Sequence, residues 1–445
     1  MSIEYPKIRP VEAIPAQENL ICLRDPMGIS DKLIFLPPEL FFIISLFDGN
    51  HSILDIQTAY TRRYGTLLFS DRVKELIEKL DSLLFLESSR FEEARKNALE
   101  EYRKAPLRKA SHAGVAYEKG KNALLKQLNS FFEGPDGPKI PERAQTSEEA
   151  PIKKIPEETI SIKVTPTPQS EAAPSMEANR TTEPDTKLTG LIAPHIDLIR
   201  GGKCFAWSYS ELSKRCRAKT FVILGISHVQ TNRRFVLTEK DFETPLGVVP
   251  ADREFINGLR RRFTMDFFED ELVHRNEHSV EFQALFLRYI YPDEERLRIV
   301  PILCSSRDEI ISGCSPSEDP EFSEFLSALK AECSERDDEP CLIAGVDLSH
   351  LGQRFGQNIS MTPAVLKKAE IDDMNMIQLI LNRDAEGFMH FIQEEKDRRN
   401  VCGVPAIYTL LKLINAKEAK LLRYDQAVDM ETSSVVTFMG AAFYR

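Results

Sequence analysis

Apolar and polar positions change their spacing along the chain, and after residue 187 short apolar runs alternate with stretches of helical periodicity. The runs that predict strands are TGLIAPH, KTFVILGISH, LRIVPILC, PCLIAGVDLSH and SSVVTFMGAAFY. The stretches that predict helices are CFAWSYSELSKRC, EFINGLRRRF, HSVEFQALFLRYI, DPEFSEFLSALKAEC, DDMNMIQLILNRD and VPAIYTLLKLIN. Because nearly continuous apolar strands that alternate with helices are typical of a covered sheet, residues 187–445 are predicted to form an α/β domain with a mainly parallel sheet sandwiched by helices.

The first 90 residues have a different pattern, which predicts a small helix-rich domain. Two strand-like pieces, NLICLRD and DKLIFL, precede three predicted helices. A turn at Asp48-Gly49-Asn50 separates the first two helices, and Ser52 is predicted to cap the second. The third helix has apolar residues at i, i+3, i+4 and i+7 spacing. Residues 1–90 are therefore expected to form a winged-helix-like unit, and the charged residues 91–133 a helical extension packed on a neighbouring domain.

Between residues 134 and 186 the composition shifts to Pro, Glu, Thr, Ser and Lys. A stretch with so few apolar residues buries too little surface to offset the entropy of ordering the chain. Residues 134–186 are therefore predicted to be a disordered linker that tethers two halves rather than fusing them.

Charge and composition exclude several classes of protein. A net charge of −11 argues against general nucleic-acid binding, which needs a basic face. The most apolar stretch, residues 33–47, is interrupted by two prolines and a glutamate and is too short to cross a bilayer. The first ten residues lack the apolar run and the small-residue cleavage site expected of a secretion signal, and the eight cysteines are scattered without a C-x-x-C pair, as in proteins with reduced thiols. We expect a cytoplasmic protein without a nucleic-acid or membrane partner.

Three predicted strands end in loops that carry histidine, namely His195, His228 and His350. Open α/β sheets bind ligands at the carboxyl ends of their strands, so these side chains are expected at one site, although unrelated loop histidines would give the same pattern. Cys402 precedes a predicted helix, whose N-terminus is expected to lower the pKa of the thiol and favour metal binding. An ordinary buried cysteine in a tight turn explains Cys402 equally well.

Three nearby sequences are assigned supporting roles. In HRNEHSVE, the acidic residue is misplaced for an H-E-x-x-H metalloprotease motif. His278 and Glu281 are instead expected to start a helix and reach the same cleft without binding the ion, whereas His274 is expected to be exposed to solvent. Residues 200–202 (RGG) predict a tight turn, and ETPLGVVPAD a connection between a strand and a helix.

Several motifs in order resemble the Memo family over residues 188–445. They are APHIDLIRGG, ILGISH, ETPLG, NEHSVEFQ, GVDLSHLGQRFG, VCG before a helix, and SSVVTFMGAAFY. The resemblance implies a fold similar to class III extradiol dioxygenases, with the site at the strand ends. It places the family's cleft positions on His195, His228, Asp347, His350 and Cys402. It also implies a redox-active iron or copper ion bound chiefly by the first two histidines and the cysteine.

The chain departs from the family pattern at residues 196–198, where Ile-Asp-Leu replaces Ala-Gly-Tyr. The change adds a carboxylate, Asp197, which is expected either to bind the ion or to fix the imidazole tautomer beside it. The related dioxygenases use two histidines and a glutamate around iron, whereas this chain offers Cys402. A thiolate with two imidazoles suits copper, zinc or iron.

Three functional hypotheses follow. The first is a metal-binding protein of the Memo type that holds iron or copper, with zinc also suited. The second is a non-heme iron dioxygenase or related metal-dependent enzyme acting on a small aromatic or peptide substrate, with His350 as acid and base and Asp347 orienting it. The third is a non-catalytic interaction protein, and the sequence indicates no oligomeric state.

The third hypothesis draws on the N-terminal unit. LFDGNHSILDIQ between two helices and the closing SLLFLES resemble PqqD-like, winged-helix peptide-binding domains. That resemblance implies a peptide or an enzyme as partner, while a small regulatory or packing module is the alternative.

Overall fold

The computed structural model describes residues 4–145, 187–292, 297–306 and 312–445. Most of the predicted linker, residues 146–186, lies outside these ranges. The linker prediction is wrong for residues 134–145, because Ile140 and Ala144 pack against a buried apolar cluster of the C-terminal half. Burial of these isolated apolar residues in a polar stretch is thus enough to hold the segment against the C-terminal half.

The N-terminal unit combines a small antiparallel sheet with three helices. Its strands are β1 (Glu12–Pro15), β2 (Ile21–Arg24) and β3 (Ile34–Leu36). Its helices are α1 (Pro38–Ser45), α2 (Ile53–Tyr64) and α3 (Ser70–Ser82). Ser52 caps α2 as predicted: its hydroxyl accepts the backbone N–H of Asp55, whose carboxylate accepts the backbone N–H of Ser52. These elements share an apolar core of their own.

The extension is helical at both ends and packs on the C-terminal half. It contains α4 (Ser89–Lys104), β4 (Leu107–Arg108) and α5 (Lys121–Glu133). β4 pairs in parallel with β8 (Asp241–Thr244), and the buried Arg108 donates hydrogen bonds to the backbone oxygens of His274 and Glu277. Direct contacts, and not only the chain between residues 134 and 186, therefore hold the two halves together.

The C-terminal half is built on an eight-stranded sheet with the order β12-β14-β5-β11-β6-β10-β7, in which β13 pairs with β14. Its strands are β5 (Leu188–Ala193), β6 (Thr220–Ile226), β7 (Phe235–Leu237), β10 (Arg298–Cys304), β11 (Cys341–Gly345), β12 (His350–Gly352), β13 (Glu418–Asp429) and β14 (Ser434–Tyr444). The four central strands β5, β11, β6 and β10 are parallel, as predicted, and the outer pairs are antiparallel.

Helices cover both faces of this sheet. They are α6 (Leu198–Arg215), α7 (Arg253–Arg262), α8 (His278–Ile290), α9 (Pro320–Ser334), α10 (Pro363–Leu381), α11 (Ala385–Glu394) and α12 (Val404–Leu413). Alternate strand residues enter two separate cores: Ile192 and Val222 pack in one, and Leu191 and Ile223 in the other. In the described part of the chain, every helix is too short or too polar to cross a lipid bilayer.

Two sequence expectations for short segments are wrong. Gly201 and Gly202 lie inside α6 rather than in a turn, since Asp197 caps the helix four residues before Gly201. A Cβ at Gly202 would lie 2.6 Å from the ring of Phe131, so glycine here lets α5 and α6 approach closely. ETPLGVVPAD is no plain connection: it contributes to a hairpin of β8 and β9 (Gly247–Val249) that pairs with β4.

Cleavage between the halves is expected to leave them associated. A protease site inserted near residue 165 should allow cutting, and the two pieces should still elute together from a gel-filtration column. Arg108 and the α5 residues Leu124, Leu128 and Phe132 are buried against the C-terminal half, and exposing them to water is unfavourable. Elution of two separate pieces without denaturant would contradict this expectation.

Candidate metal centre

The candidate centre lies at the carboxyl ends of three neighbouring parallel strands. His195 follows β5, Asp347 follows β11 and His228 follows β6, each two positions beyond the end of its strand. Because β11 pairs with both β5 and β6, the three exits meet at one edge of the sheet. The strand pattern in the sequence thus brings these residue types together.

His195 is held so that one ring nitrogen faces Cys402. The His195 Nδ1 lies 3.0 Å from the Gly345 carbonyl oxygen, so Nδ1–H donates and Nε2 keeps its lone pair. That Nε2 lies 3.3 Å from the Cys402 Sγ. Burial lowers the pKa of His195 to about 3, which keeps the imidazole neutral, the form that binds metals.

His228 is oriented by a carboxylate. Its Nδ1 lies 3.0 and 3.1 Å from the two carboxylate oxygens of Glu277, which leaves Nε2 as the nitrogen available to an ion. Glu277 also caps α8 by accepting the backbone N–H groups of His278 and Ser279. Burial opposes ionisation, but the imidazoles of His228 and His278 hold the pKa of Glu277 well below its usual value.

Cys402 sits immediately before Gly403, the N-cap of α12. Its Sγ also lies 3.6 Å from the Asp347 carbonyl oxygen. Burial raises the pKa of the Cys402 thiol in spite of its hydrogen bond with His228. The expectation of a lowered pKa is therefore wrong, because desolvation of the thiolate outweighs the hydrogen bonds that favour it.

The donor set fits a metal ion. One donor atom each from His195, His228 and Cys402 lies within 4.8 Å of the others. Ligands held about 2.0–2.3 Å from one ion lie within about 4.6 Å of each other, so small side-chain rotations complete the geometry. Two imidazoles whose other nitrogens are already bonded, next to a thiol, form a preorganised set of ligands.

Comparisons with known proteins identify the family to which this chain belongs. The family model described as Memo-like protein matches residues 166–442. The chain belongs to the Memo-like family. A MEMO1 family protein of Aquifex aeolicus is 28% identical over 442 residues, covering 99% of this chain and 100% of its own. Relatives with the same description from Caldivirga maquilingensis and Thermotoga petrophila are 26% and 28% identical, over 76% and 58% of this chain and 99% and 85% of their own.

Two acidic groups of this Memo-like site have partners other than those expected. Asp197 caps α6 and pairs with Arg200, with the Asp197 Oδ2 2.5 Å from the Arg200 Nε. The Gly345 carbonyl oxygen, and not Asp197, fixes the tautomer of His195. Asp347 accepts the backbone N–H groups of His195 and Ile196 instead of orienting the His350 imidazole. Burial raises the pKa of Asp347 to about 6.

The His350 side chain is oriented by a backbone carbonyl group. Its Nδ1 lies 3.1 Å from the Leu348 carbonyl oxygen, which orients the ring. The expectation that Asp347 fixes the His350 tautomer is therefore wrong, because the Leu348 carbonyl oxygen does so. Burial lowers the pKa of His350 overall, and the Asp347 carboxylate opposes this by raising it, as expected. His350 nevertheless lines the same cavity as His195 and His228, so its predicted role as acid and base remains a prediction.

The two histidines of the HRNEHSVE segment lie in different places: His278 at the candidate site and His274 in the core. His278 begins α8, as expected, and its ring stacks on that of His228 with centroids 4.8 Å apart. Glu281 is buried and accepts a hydrogen bond from Arg108, so its side chain contacts residues of the cavity wall but does not itself form part of that wall. His274 is 1% exposed and its Nε2 lies 2.9 Å from the Val236 carbonyl oxygen. The expectation of solvent exposure for His274 is wrong, because this ring satisfies a strand carbonyl in the core.

Two site residues were missed by sequence reasoning. Glu277 precedes a helix, and an acidic residue at that position signals an N-cap, but the sequence does not show which histidine it reaches. His112 comes from the extension and lines the cavity next to His278. Its sequence context carries no motif, so only packing of the two halves reveals it.

Replacing Glu277 with glutamine is expected to weaken metal binding about 10- to 100-fold, the usual effect of losing a group that orients a ligating histidine. Glutamine keeps the size of the side chain but removes the charge that holds His228 Nδ1–H. Competition with a chelator of known affinity measures the change. Glu269→Gln, at a partly exposed pair with Arg233, is the control and should leave the affinity unchanged.

Proposed function

We propose that this Memo-like protein binds a redox-active iron or copper ion through His195, His228 and Cys402. The observation that carries the proposal is the convergence of three donor atoms, from three separate segments, within 4.8 Å. Gly345 and Glu277 occupy the other nitrogens of the two imidazoles, which leaves both Nε2 atoms for the ion.

The chemistry of the three ligands narrows the choice of metal ion. A thiolate with two imidazoles suits copper, iron and zinc and disfavours magnesium or calcium, which prefer oxygen. A bound iron or copper ion supplies one-electron redox chemistry and polarises an oxygen-containing ligand. The protein itself keeps His195 neutral by burial and holds the loop of His195 through Asp347.

A second candidate function is a metal-dependent oxygenase acting on a small aromatic or peptide substrate. It is favoured by the Asp347 carboxylate, whose Oδ2 lies 3.6 Å from the His195 Nε2, because two histidines and a carboxylate are the ligands of non-heme iron oxygenases. His350, on the cavity wall, is then placed to hold or move a proton of the substrate.

Elemental analysis of protein purified without oxygen, together with titration by iron(II), copper and zinc, tests the proposal. We expect one ion per wild-type chain, loss of that ion in His195→Ala, and nearly unchanged stoichiometry in His350→Ala, since His350 is assigned to the substrate. Oxygen uptake with a bound iron ion would favour the oxygenase. Absence of metal in the wild type would overturn the proposal, and equal loss in both variants would make His350 a ligand.

We place this function in the cytoplasm. No disulfide bond joins any of the eight cysteines, and several of them, including Cys204 and Cys304, are buried in the core. Reduced, unpaired thiols are typical of reducing compartments.

A further inference from the structure

Residues 108–117, termed here the anchor segment, lie outside the region that matches the family model yet pack beside the candidate metal centre. Several groups of this segment converge on one buried carboxylate, that of Glu281 on α8. Hydrogen bonds to it come from the side chains of Arg108, Ser111, His112 and Tyr117 and from the backbone N–H of His112. The anchor segment is thus fixed to the helix that begins with His278.

The bond to Glu281 decides which nitrogen of His112 is free. Burial would raise the pKa of Glu281, but the Arg108 guanidinium and His112 lower it to about 2, so the group is a carboxylate. His112 Nδ1 lies 2.9 Å from this carboxylate and therefore donates. In the neutral imidazole, Nε2 then remains as an acceptor, and the side chain is 24% exposed.

His112 and Ala116 line the same cavity as His195, His228, His278 and His350. The cavity has a volume of about 310 Å³, the lower end of the range for small-molecule sites. Its walls therefore come from both halves of the chain, with the metal ligands on one side and the anchor segment on another.

The charges and rings along the cavity favour a small planar anion. Of the two carboxylates in the lining, Asp197 pairs with Arg200, and Asp347 accepts the backbone N–H groups of His195 and Ile196. Arg354 also lines the cavity; among the described residues no carboxylate lies within salt-bridge distance of it, and Asp429 interacts with it only at longer range. Phe282 and Phe355 contribute aromatic rings to the lining. The metal of the proposed function adds positive charge, so this part of the argument rests on that function.

We propose that His112 is a ligand-binding residue of this site and that the ligand is a small planar carboxylic acid carrying a hydroxyl or amine donor. The ligand's carboxylate interacts with Arg354, and its donor group hydrogen-bonds to His112 Nε2. The extension is consequently a part of the binding site and not a separable module.

Calorimetric titration of the full-length protein with 3- and 4-hydroxybenzoate, and with benzoate as the probe lacking the donor, tests the proposal. All titrations are run at pH 8. His112→Asn keeps an N–H near Glu281 but removes Nε2. We expect it to weaken the tighter hydroxybenzoate about 10-fold, as for loss of one hydrogen bond, and to leave benzoate unchanged. Arg354→Ala should weaken all three probes.

His51→Asn, at an exposed histidine of the N-terminal unit, is the matched control and should bind every probe like the wild type. The titrations are run on metal-free and metal-loaded protein, with the metal content measured in the same preparations. Equal hydroxybenzoate affinity in the wild type and His112→Asn, or no binding of any probe by the wild type in either form, would overturn the proposal. His112-dependent binding in a protein that takes up no metal would support it while overturning the proposed metal site.

Discussion

Replacing Cys402 with serine is expected to weaken iron or copper binding by more than about 100-fold, because loss even of groups that only orient ligands costs 10- to 100-fold. Cys402 Sγ lies 3.3 Å from His195 Nε2 and supplies the only soft donor of the three-ligand group. Serine has nearly the same shape but its hydroxyl is a poor ligand at neutral pH. Chelator competition measures the affinity, and loss of the sulfur-to-copper absorption of copper(II)-loaded protein gives an independent readout.

Cys333→Ser provides the control for this substitution. Cys333 lies on α9 and lines a different cleft, beside Lys330 and Arg336, so its loss should leave metal affinity and absorption unchanged. Wild-type affinity in Cys402→Ser would remove the cysteine from the ligand set. The two histidines with Asp347 would then be the remaining ligands, as the oxygenase candidate requires.

Replacing Arg108 with alanine is expected to lower the free energy of unfolding by about 3–5 kcal/mol, the usual cost of removing one partner of a buried ion pair. The Arg108 side chain is fully buried, and Glu281, its partner, is 1% exposed. Arg108 also donates to the backbone oxygens of His274, Glu277 and Lys109. Its loss leaves these acceptors and the Glu281 carboxylate without their main donor in the interior.

Denaturant unfolding followed by circular dichroism measures the difference. Arg72→Ala is the matched control, since Arg72 pairs with Glu75 on the surface with both side chains more than half exposed. The loss of such an exposed pair should cost no more than about 1 kcal/mol. Equal stability of the two variants would mean that the anchor segment contributes little to holding the halves together.

The position of the candidate ligands at the strand exits was predictable because it follows from local pattern. Apolar runs defined β5, β6 and β11, and the residue types two positions beyond them were visible as His195, His228 and Asp347. The ordered motifs also predicted the family, and the family match confirmed it. The resemblance of the N-terminal unit to PqqD-like domains stays a prediction.

Other features depended on contacts between distant segments. β13 carries polar residues with intermediate burial, and only pairing with β14 makes it a strand. The glycines of α6 suggested a turn, whereas the packing partner that accounts for Gly202, Phe131, is about seventy residues away in the sequence. A local pattern contains no information about such partners, which is why β13 was not predicted and the expectation of a turn at residues 200–202 failed.

The sequence by itself determined the α/β class, the helices of the N-terminal unit with the Ser52 cap of α2, and the placement of three site residues at strand exits, since strand and helix periods and N-caps are properties of neighbouring residues. Tertiary structure alone decided that Glu277 holds His228, that His274 is buried, and that His112 joins the cavity. It also decided the pKa of Cys402, because desolvation depends on every segment packed around the thiol and not on the helix that follows it.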